Sequence, residues 1–303
     1  MTRALVLGGG GPVGIAWETG LIAGLAEAGV DLAQADYTLG TSAGSFVGSQ
    51  LAMGRKVGDM AAAILAEADR PRPIPTGNAV RAEGGARPAT SAMTVLFQKM
   101  QEAASGTRDP KEVRQEIGKF ALEAETIDEP TFIKSFGRSL AESAPDAWPK
   151  RGYACTAVDA ETGAFRLWDK AAGVGLTRAV ASSCSVPGVY PPITIDGRRY
   201  IDGGMRSAVN ADMARGHDLV VVVAIRVATG AGEAAERLRH ALDAEIQVLK
   251  DGGSRVELII PDDASVTAFG PNLMDMRRRP EAAQAGLDQG RGAAKALRSI
   301  WNG

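Results

Sequence analysis

Histidine and cysteine are nearly absent from this chain of 303 residues: it holds two of each, His217 and His240, Cys155 and Cys184. Two cysteines are too few for a disulfide framework, and both read as small buried hydrophobes. Two histidines narrow the search for any catalytic base. No sign of charge dominates either, since 34 Lys and Arg stand against 36 Asp and Glu, a formal charge of −2. Phosphate binding needs clustered cations on a basic background, so nucleic acid is excluded as a partner. Long apolar runs are missing as well. The stretch at residues 4–7 is far shorter than a signal-peptide core, and no run reaches membrane-spanning length, so a cytoplasmic protein is expected. What remains is a globular composition, 45% hydrophobic and 23% charged, with ample apolar surface for a core.

The order of elements points to an α/β fold. Residues 4–7 read as a buried strand, followed by Gly8-Gly9-Gly10-Gly11-Pro12-Val13-Gly14 and a helix from about residue 15 to 28. A second strand at 37–39 ends at Gly40, and a helix from about 43 to 53 follows. This alternation predicts a parallel sheet with helices on both faces. From about 55 to 150 the character changes: a Pro-, Gly- and Arg-rich loop at 70–92 sits among helical stretches, with helix starts at Asp109-Pro110 and at Asp128 before Pro130. This block reads as a mostly helical insertion over the sheet, within a single domain spanning 1–303. Strands return at 153–158 and 164–168, at 193–195 and 199–201 around an Asp196-Gly197 turn, at 219–227 and at 256–260. Helices are expected at about 232–249 and at 280–301.

Three glycine-bearing clusters each follow a predicted strand, and in open α/β sheets ligands bind beyond the carboxyl ends of strands. The first, Gly9-x-Gly11-x-x-Gly14, literally matches the dinucleotide fingerprint. Its free amides suit pyrophosphate or, equally, a developing oxyanion. A Rossmann unit would continue to a strand ending in an acid; here the next strand ends in Gly40-Thr41-Ser42-Ala43-Gly44. A nucleotide-binding module built on Gly9–Gly14 therefore stands as the alternative reading. The second cluster is G-x-S-x-G between strand and helix, the context of a nucleophile elbow. The turn thrusts the Ser42 hydroxyl out at a helix N-terminus, where the Ala43 amide and the dipole favour negative charge. Taken alone, it is also compatible with an N-capping serine in a small-residue turn.

A serine hydroxyl needs a base. His217 precedes Asp218 and an apolar strand, as a surface residue entering a sheet would, and His240 lies in a charged helical stretch. Neither has an orienting acid, so a Ser-His-Asp triad is disfavoured. The third cluster, Asp202-Gly203-Gly204, offers an acid held on a tight turn at a strand end, although the triplet alone equally suits a solvated turn.

Together the three clusters resemble the patatin-like phospholipases, the lipid acyl hydrolases. The resemblance runs through the glycine loop, the G-x-S-x-G, the Ala181-Ser-Ser-Cys-Ser-Val-Pro187-Gly188 segment with Pro191-Pro192, and Asp202-Gly203-Gly204. It implies a three-layer α/β/α fold and a Ser–Asp dyad that hydrolyses lipid acyl esters without metal or cofactor. Carried over, Ser42 is the nucleophile and Asp202 the proton acceptor. Gly9, Gly10, Gly11 and Gly14 with Ala43 form the oxyanion motif, Gly10 and Gly11 as donors, while Gly40 and Gly44 shape the elbow. One departure is Val13, where many members carry Arg or Lys. The implied partner is a lipid or other acyl ester, with peripheral membrane contact and an open oligomeric state. The Met93, Leu96, Phe97, Met100 stripe suits a lid, but at helical spacing core packing is the commoner meaning. The Arg277-Arg278-Arg279 run suits anionic head groups, or simply solvated surface.

Overall fold

A computed structural model describes residues 1–69, 96, 98–99, 108–140, 146–225 and 233–303. The expected loop at 70–92, the stripe positions Met93, Phe97 and Met100, and residues 226–227 lie outside the described residues. Among those described, eight strands occur: β1 (Arg3–Leu7), β2 (Tyr37–Gly40), β3 (Gly152–Asp159), β4 (Phe165–Asp169), β5 (Ile193–Ile195), β6 (Arg198–Asp202), β7 (Leu219–Val223) and β8 (Arg255–Ile259). The helices are α1 (Gly11–Glu27), α2 (Ala43–Ala52), α3 (Val57–Leu65), α4 (Pro110–Glu123), α5 (Glu129–Leu140), α6 (Leu176–Ser183), α7 (Glu233–Asp251), α8 (Asp263–Phe269) and α9 (Arg279–Trp301). None of them is long and apolar enough to cross a membrane. The chain divides into two units, Met1–Arg70 with Pro149–Ala154 and Ala208–Gly303, and Pro71–Trp148 with Cys155–Ser207.

In the first unit β2, β1, β7 and β8 lie side by side in that order, all parallel. Their apolar runs reflect burial on both faces. Leu5, Leu7, Leu219, Val221 and Val223 point to one side, into a core with Trp17, Leu21 and Leu25 of α1, Val47 and Leu51 of α2, Ile64 of α3 and Leu287 of α9. The alternate residues Ala4, Val6, Val220 and Val222 are equally buried and face the other side. There the turn at Ala211–Ala214 packs against β1, β2 and α7. Helices on both faces of a parallel sheet make the three-layer α/β/α arrangement. The register sets Leu7 level with Gly40 and Val223, so three chain segments leave the sheet at one edge.

Two boundaries differ from the sequence reading. Helix α1 begins at Gly11, not near Ile15, because Gly10 takes the N-cap position, Pro12 occupies the first turn and Gly14 N–H donates to Gly10 O at 2.8 Å. Strand β7 stops at Val223, where its partner β8 reaches Ile259.

The second unit is antiparallel. Strand β3, which begins in the first unit, continues as Cys155–Asp159 and pairs with β4 and β6, and β6 pairs with β5 through the expected turn, Asp196 and Gly197 having φ of 50° and 75°. Helix α4 is capped by Asp109, as its sequence suggested, and buries Val113, Ile117 and Ala121 with Leu96, Val158 and Ile201. Leu96, the described member of the apolar stripe, is thus core. Helix α5 starts at Asp128, whose carboxylate accepts from Thr131 N at 2.8 Å, and Phe132 stacks on Tyr190 at 4.5 Å.

Helices α1 and α9 make the tightest contact in the first unit. A Cβ on Gly20 or Gly24 would collide with the carbonyls of Ala283 or Leu287, and one on Gly286 or Gly290 with those of Trp17 or Leu21. Glycines four apart on each helix let the two backbones touch, an arrangement no bulkier residue permits. Gly24→Ala is expected to lower folding stability by about 1–3 kcal/mol through overpacking. Gly292→Ala, on the same pair of helices but with open space around it, is expected to raise stability by about 0.5–1 kcal/mol. Chemical denaturation of both variants checks this, and shifts of the same sign would contradict it.

Candidate active site

The loop after β2 holds Ser42 with φ 53° and ψ −117°, a conformation that L-residues rarely adopt and that costs on the order of 1–3 kcal/mol. The surroundings over-determine it. Thr41 N–H donates to Leu7 O, and Gly44 N–H is shared between Gly8 O and Thr41 O, each at 3.0 Å. The flanking glycines are required by contact: a Cβ at Gly40 would strike the Ser45 backbone, and one at Gly44 would strike the Leu7 carbonyl. From the other side Asn210, itself left-handed at φ 57°, donates through Nδ2 to Thr41 Oγ1 at 3.1 Å, and Thr41 Oγ1 donates to Val209 O at 3.2 Å. Asn210 did not stand out in the sequence. Its only signal is that asparagine tolerates the left-handed region better than most residues.

The glycine loop lies against the elbow, since a Cβ on Gly9 would sit 3.4 Å from Ser42 Cβ, and one on Gly14 would sit 3.5 Å from Ala43 Cβ. Most amides of this loop are already used. Gly8 N–H donates to Val223 O, Gly9 N–H to Ala208 O, Val13 N–H to Leu273 O and Gly14 N–H to Gly10 O, while Pro12 has none. Gly9 and Gly14 therefore pack against the elbow while their amides are spent on backbone carbonyls. Among the described residues the amides of Gly10, Gly11 and Ala43 have no acceptor. Three unused donors next to a strained serine suit an oxyanion. At the start of α1 the spare amides are those of the N-cap Gly10 and of Gly11.

In the second unit Asp202 ends β6 and is 2% exposed. It pairs across from Ala157, its amide donates to Ser185 O at 3.0 Å, and its Oδ1 accepts from Gly204 N–H at 2.7 Å. A Cβ on Gly203 would collide with Thr156, so that glycine lets the turn pack on β3, while one on Gly204 would lie 2.9 Å from Asp202 Oδ1, so that glycine leaves the carboxylate its place. The segment after α6 that the sequence singled out thus carries the carbonyl that anchors the acid's backbone.

A family model described as patatin-like phospholipase matches residues 5–215. The chain belongs to the patatin-like phospholipase family. Membership implies a hydrolase acting on lipid esters, and the matched span includes all three glycine clusters. Comparison with curated proteins gave no match. Among solved structures, that of VipD from Legionella pneumophila is 14% identical with a TM-score of 0.46, covering 97% of this chain and 67% of its own. That of the type III effector protein ExoU is 14% identical with a TM-score of 0.34, covering 96% of this chain and 53% of its own.

In this patatin-like chain one histidine lies at the far end of the sheet and the other is exposed on a helix. His217 precedes β7, at the end of the sheet opposite Leu7 and Gly40, where its ring stacks on Tyr37 at 5.0 Å and Nδ1 meets Ala214 O at 3.0 Å. His240 is exposed on α7. Cys155 and Cys184 are buried free thiols, as expected. The arginine run is engaged in ion pairs, Arg277 with Asp275, Arg278 with Glu281 and Arg279 with Glu67, which favours a structural use over head-group capture. Val13 is fully buried.

Glu18 escaped the sequence reading, passing as one more residue of an apolar helix. It is fully buried on α1, one turn beyond Gly14 on the same helix face, and neither carboxyl oxygen has a hydrogen-bond partner among the described residues. Burial pushes its pKa well above the carboxylate range, opposed by the nearby Gly8 amide. The folded protein therefore keeps this proton at pH values where the unfolded chain releases it. As pH rises above about 4.3, wild type should lose stability relative to Glu18→Gln, by at most about 1.4 kcal/mol per pH unit, until the raised pKa is passed. Denaturation midpoints across pH check this, and parallel curves for the two proteins would contradict it.

Proposed function

We propose that this family member is a serine acyl hydrolase working through a Ser42–Asp202 dyad. Ser42 Oγ attacks the acyl carbonyl of a lipid ester while its proton passes to Asp202. The carbonyl oxygen becomes an oxyanion received by the amides of Gly10, Gly11 and Ala43. The tetrahedral intermediate collapses, the C–O bond to the alcohol breaks, and the leaving alcohol takes the proton from Asp202. Water then attacks the acyl-serine, again giving its proton to Asp202, and the fatty acid departs as Ser42 recovers its own. No metal or cofactor enters either step.

The observation that carries this reading is the strained Ser42 on an elbow packed against the glycine loop, where the amides of Gly10, Gly11 and Ala43 have no acceptor among the described residues. The buried Asp202, with Gly204 where a side chain would displace its carboxylate, supports the choice of base. The place of His217 before β7, at the end of the sheet opposite Gly40, and the exposure of His240 support its histidine-free character. The two units act together as one catalytic domain in this proposal, and the lipid is reached by peripheral contact with a membrane or micelle.

Turnover of chromogenic esters of increasing chain length tests the assignment. Ser42→Ala and Asp202→Asn should each lose more than about 1000-fold in kcat. His217→Ala and His240→Ala should stay within about twofold of wild type. Undiminished turnover by Ser42→Ala, or loss in a histidine variant with Asp202→Asn intact, would overturn it.

A further inference from the structure

The glycine loop has an outer wall that lies beyond the family match. The match ends at residue 215, yet Pro271–Arg279, which joins α8 to α9, is laid against Gly11–Val13. Leu273 O accepts from Val13 N–H at 3.1 Å. A Cβ on Gly11 would lie 2.9 Å from both Leu273 O and Met274 Sδ. The segment is itself held in shape: Met274 N–H donates to Asn272 Oδ1, Asp275 N–H to Asn272 O, and Arg277 pairs with Asp275 through two nitrogens. At its end Arg279, only 13% exposed, forms a two-pronged pair with Glu67, Nε to Oε2 at 2.9 Å and Nη2 to Oε1 at 3.0 Å. Its remaining nitrogen, Nη1, donates to Pro12 O at 3.4 Å.

We propose that Arg279 is a positioning residue for the oxyanion donors, acting on the Pro12 carbonyl as Leu273 acts on the Val13 amide. The physical argument concerns peptide orientation. The Gly10 and Gly11 amides have no acceptor among the described residues, so no hydrogen bond of their own fixes where they aim. Their direction is set by the next peptide units, and the Pro12–Val13 peptide is gripped at both ends, its carbonyl by Arg279 and its amide by Leu273 O. Pro12 removes the competing donor and fixes its own φ, which stiffens the same stretch. A guanidinium suits this job because its planar fork satisfies Glu67 with two nitrogens and leaves the third to reach the carbonyl, which the point charge of a lysine does less well. Glu67 keeps the fork from turning away.

This inference rests on the reading of Gly10 and Gly11 as oxyanion donors. Misaimed donors weaken the transition state more than the ground state, so the effect falls on kcat and not on KM. With a soluble chromogenic ester, at a temperature where circular dichroism shows each protein folded, Arg279→Met should lose about tenfold or more in kcat. Its KM should stay within about twofold, and phosphonylation of Ser42 by a fluorophosphonate should slow in parallel. Arg279→Lys should fall between. A folded Arg279→Met with kcat within about twofold of wild type, or with its change confined to KM, would overturn the inference. If Arg279→Met does not fold, Glu67→Gln loosens the same grip with Arg279 in place. A loss of about threefold or more in kcat at constant KM then supports the proposal, and an unchanged kcat refutes it. Ser42→Ala, run alongside, separates the two levels. Activity in that variant removes the underlying reading, whereas an inactive Ser42→Ala with a fully active Arg279→Met removes only this one.

Discussion

The whole site depends on three parallel strands ending level. Because Leu7, Gly40 and Val223 stand side by side in the register, the backbone groups just beyond them satisfy one another. Gly8 N–H reaches Val223 O, Thr41 N–H reaches Leu7 O, and Gly44 N–H reaches Gly8 O. This lattice holds Ser42 in a backbone conformation it would otherwise abandon, and it uses up nearly every amide nearby. What it leaves over are the amides of Gly10, Gly11 and Ala43, which have no acceptor among the described residues; in the proposed reaction the fold has already oriented them for the oxyanion, so little reorganisation is needed when it forms.

The same logic governs charge around the loop. An ionised carboxylate beside the oxyanion would oppose it strongly at low dielectric. The acid closest to the loop along α1, Glu18, is fully buried, and that burial raises its pKa and favours its neutral form. The charges that are present come as pairs, Arg279 with Glu67 above all, and their geometry directs a guanidinium nitrogen at a carbonyl of the loop. Val13, the departure from the family's Arg or Lys, is fully buried, and the carbonyl beside it accepts from Arg279 at the start of α9.

Local chemistry made much of this legible before any coordinates. A G-x-S-x-G between a strand and a helix calls for close backbone approach on both sides of the serine, and Gly40 and Gly44 supply it. The Asp196-Gly197 hairpin and the aspartate caps of α4 and α5 followed equally from residue type. What escaped shares one property, dependence on partners far along the chain. Asn210 acts on Thr41 from 169 positions away and Arg279 on Pro12 from 267. Glu18 hid because α1 is buried nearly all round, so no polar face marked it out. The start of α1 was misplaced because four glycines before a proline read as loop, although glycine at an N-cap and proline in the first turn are themselves a helix start.

All of the proposed chemistry passes through an acylated Ser42. Rapid quenching of the protein with a slowly deacylating ester, followed by peptide mass spectrometry, tests it most directly. The account predicts one acyl group, carried on the peptide containing Ser42 and absent after hydroxylamine treatment. An active protein whose quenched samples carry no acyl group, or carry it on a different residue, would contradict it.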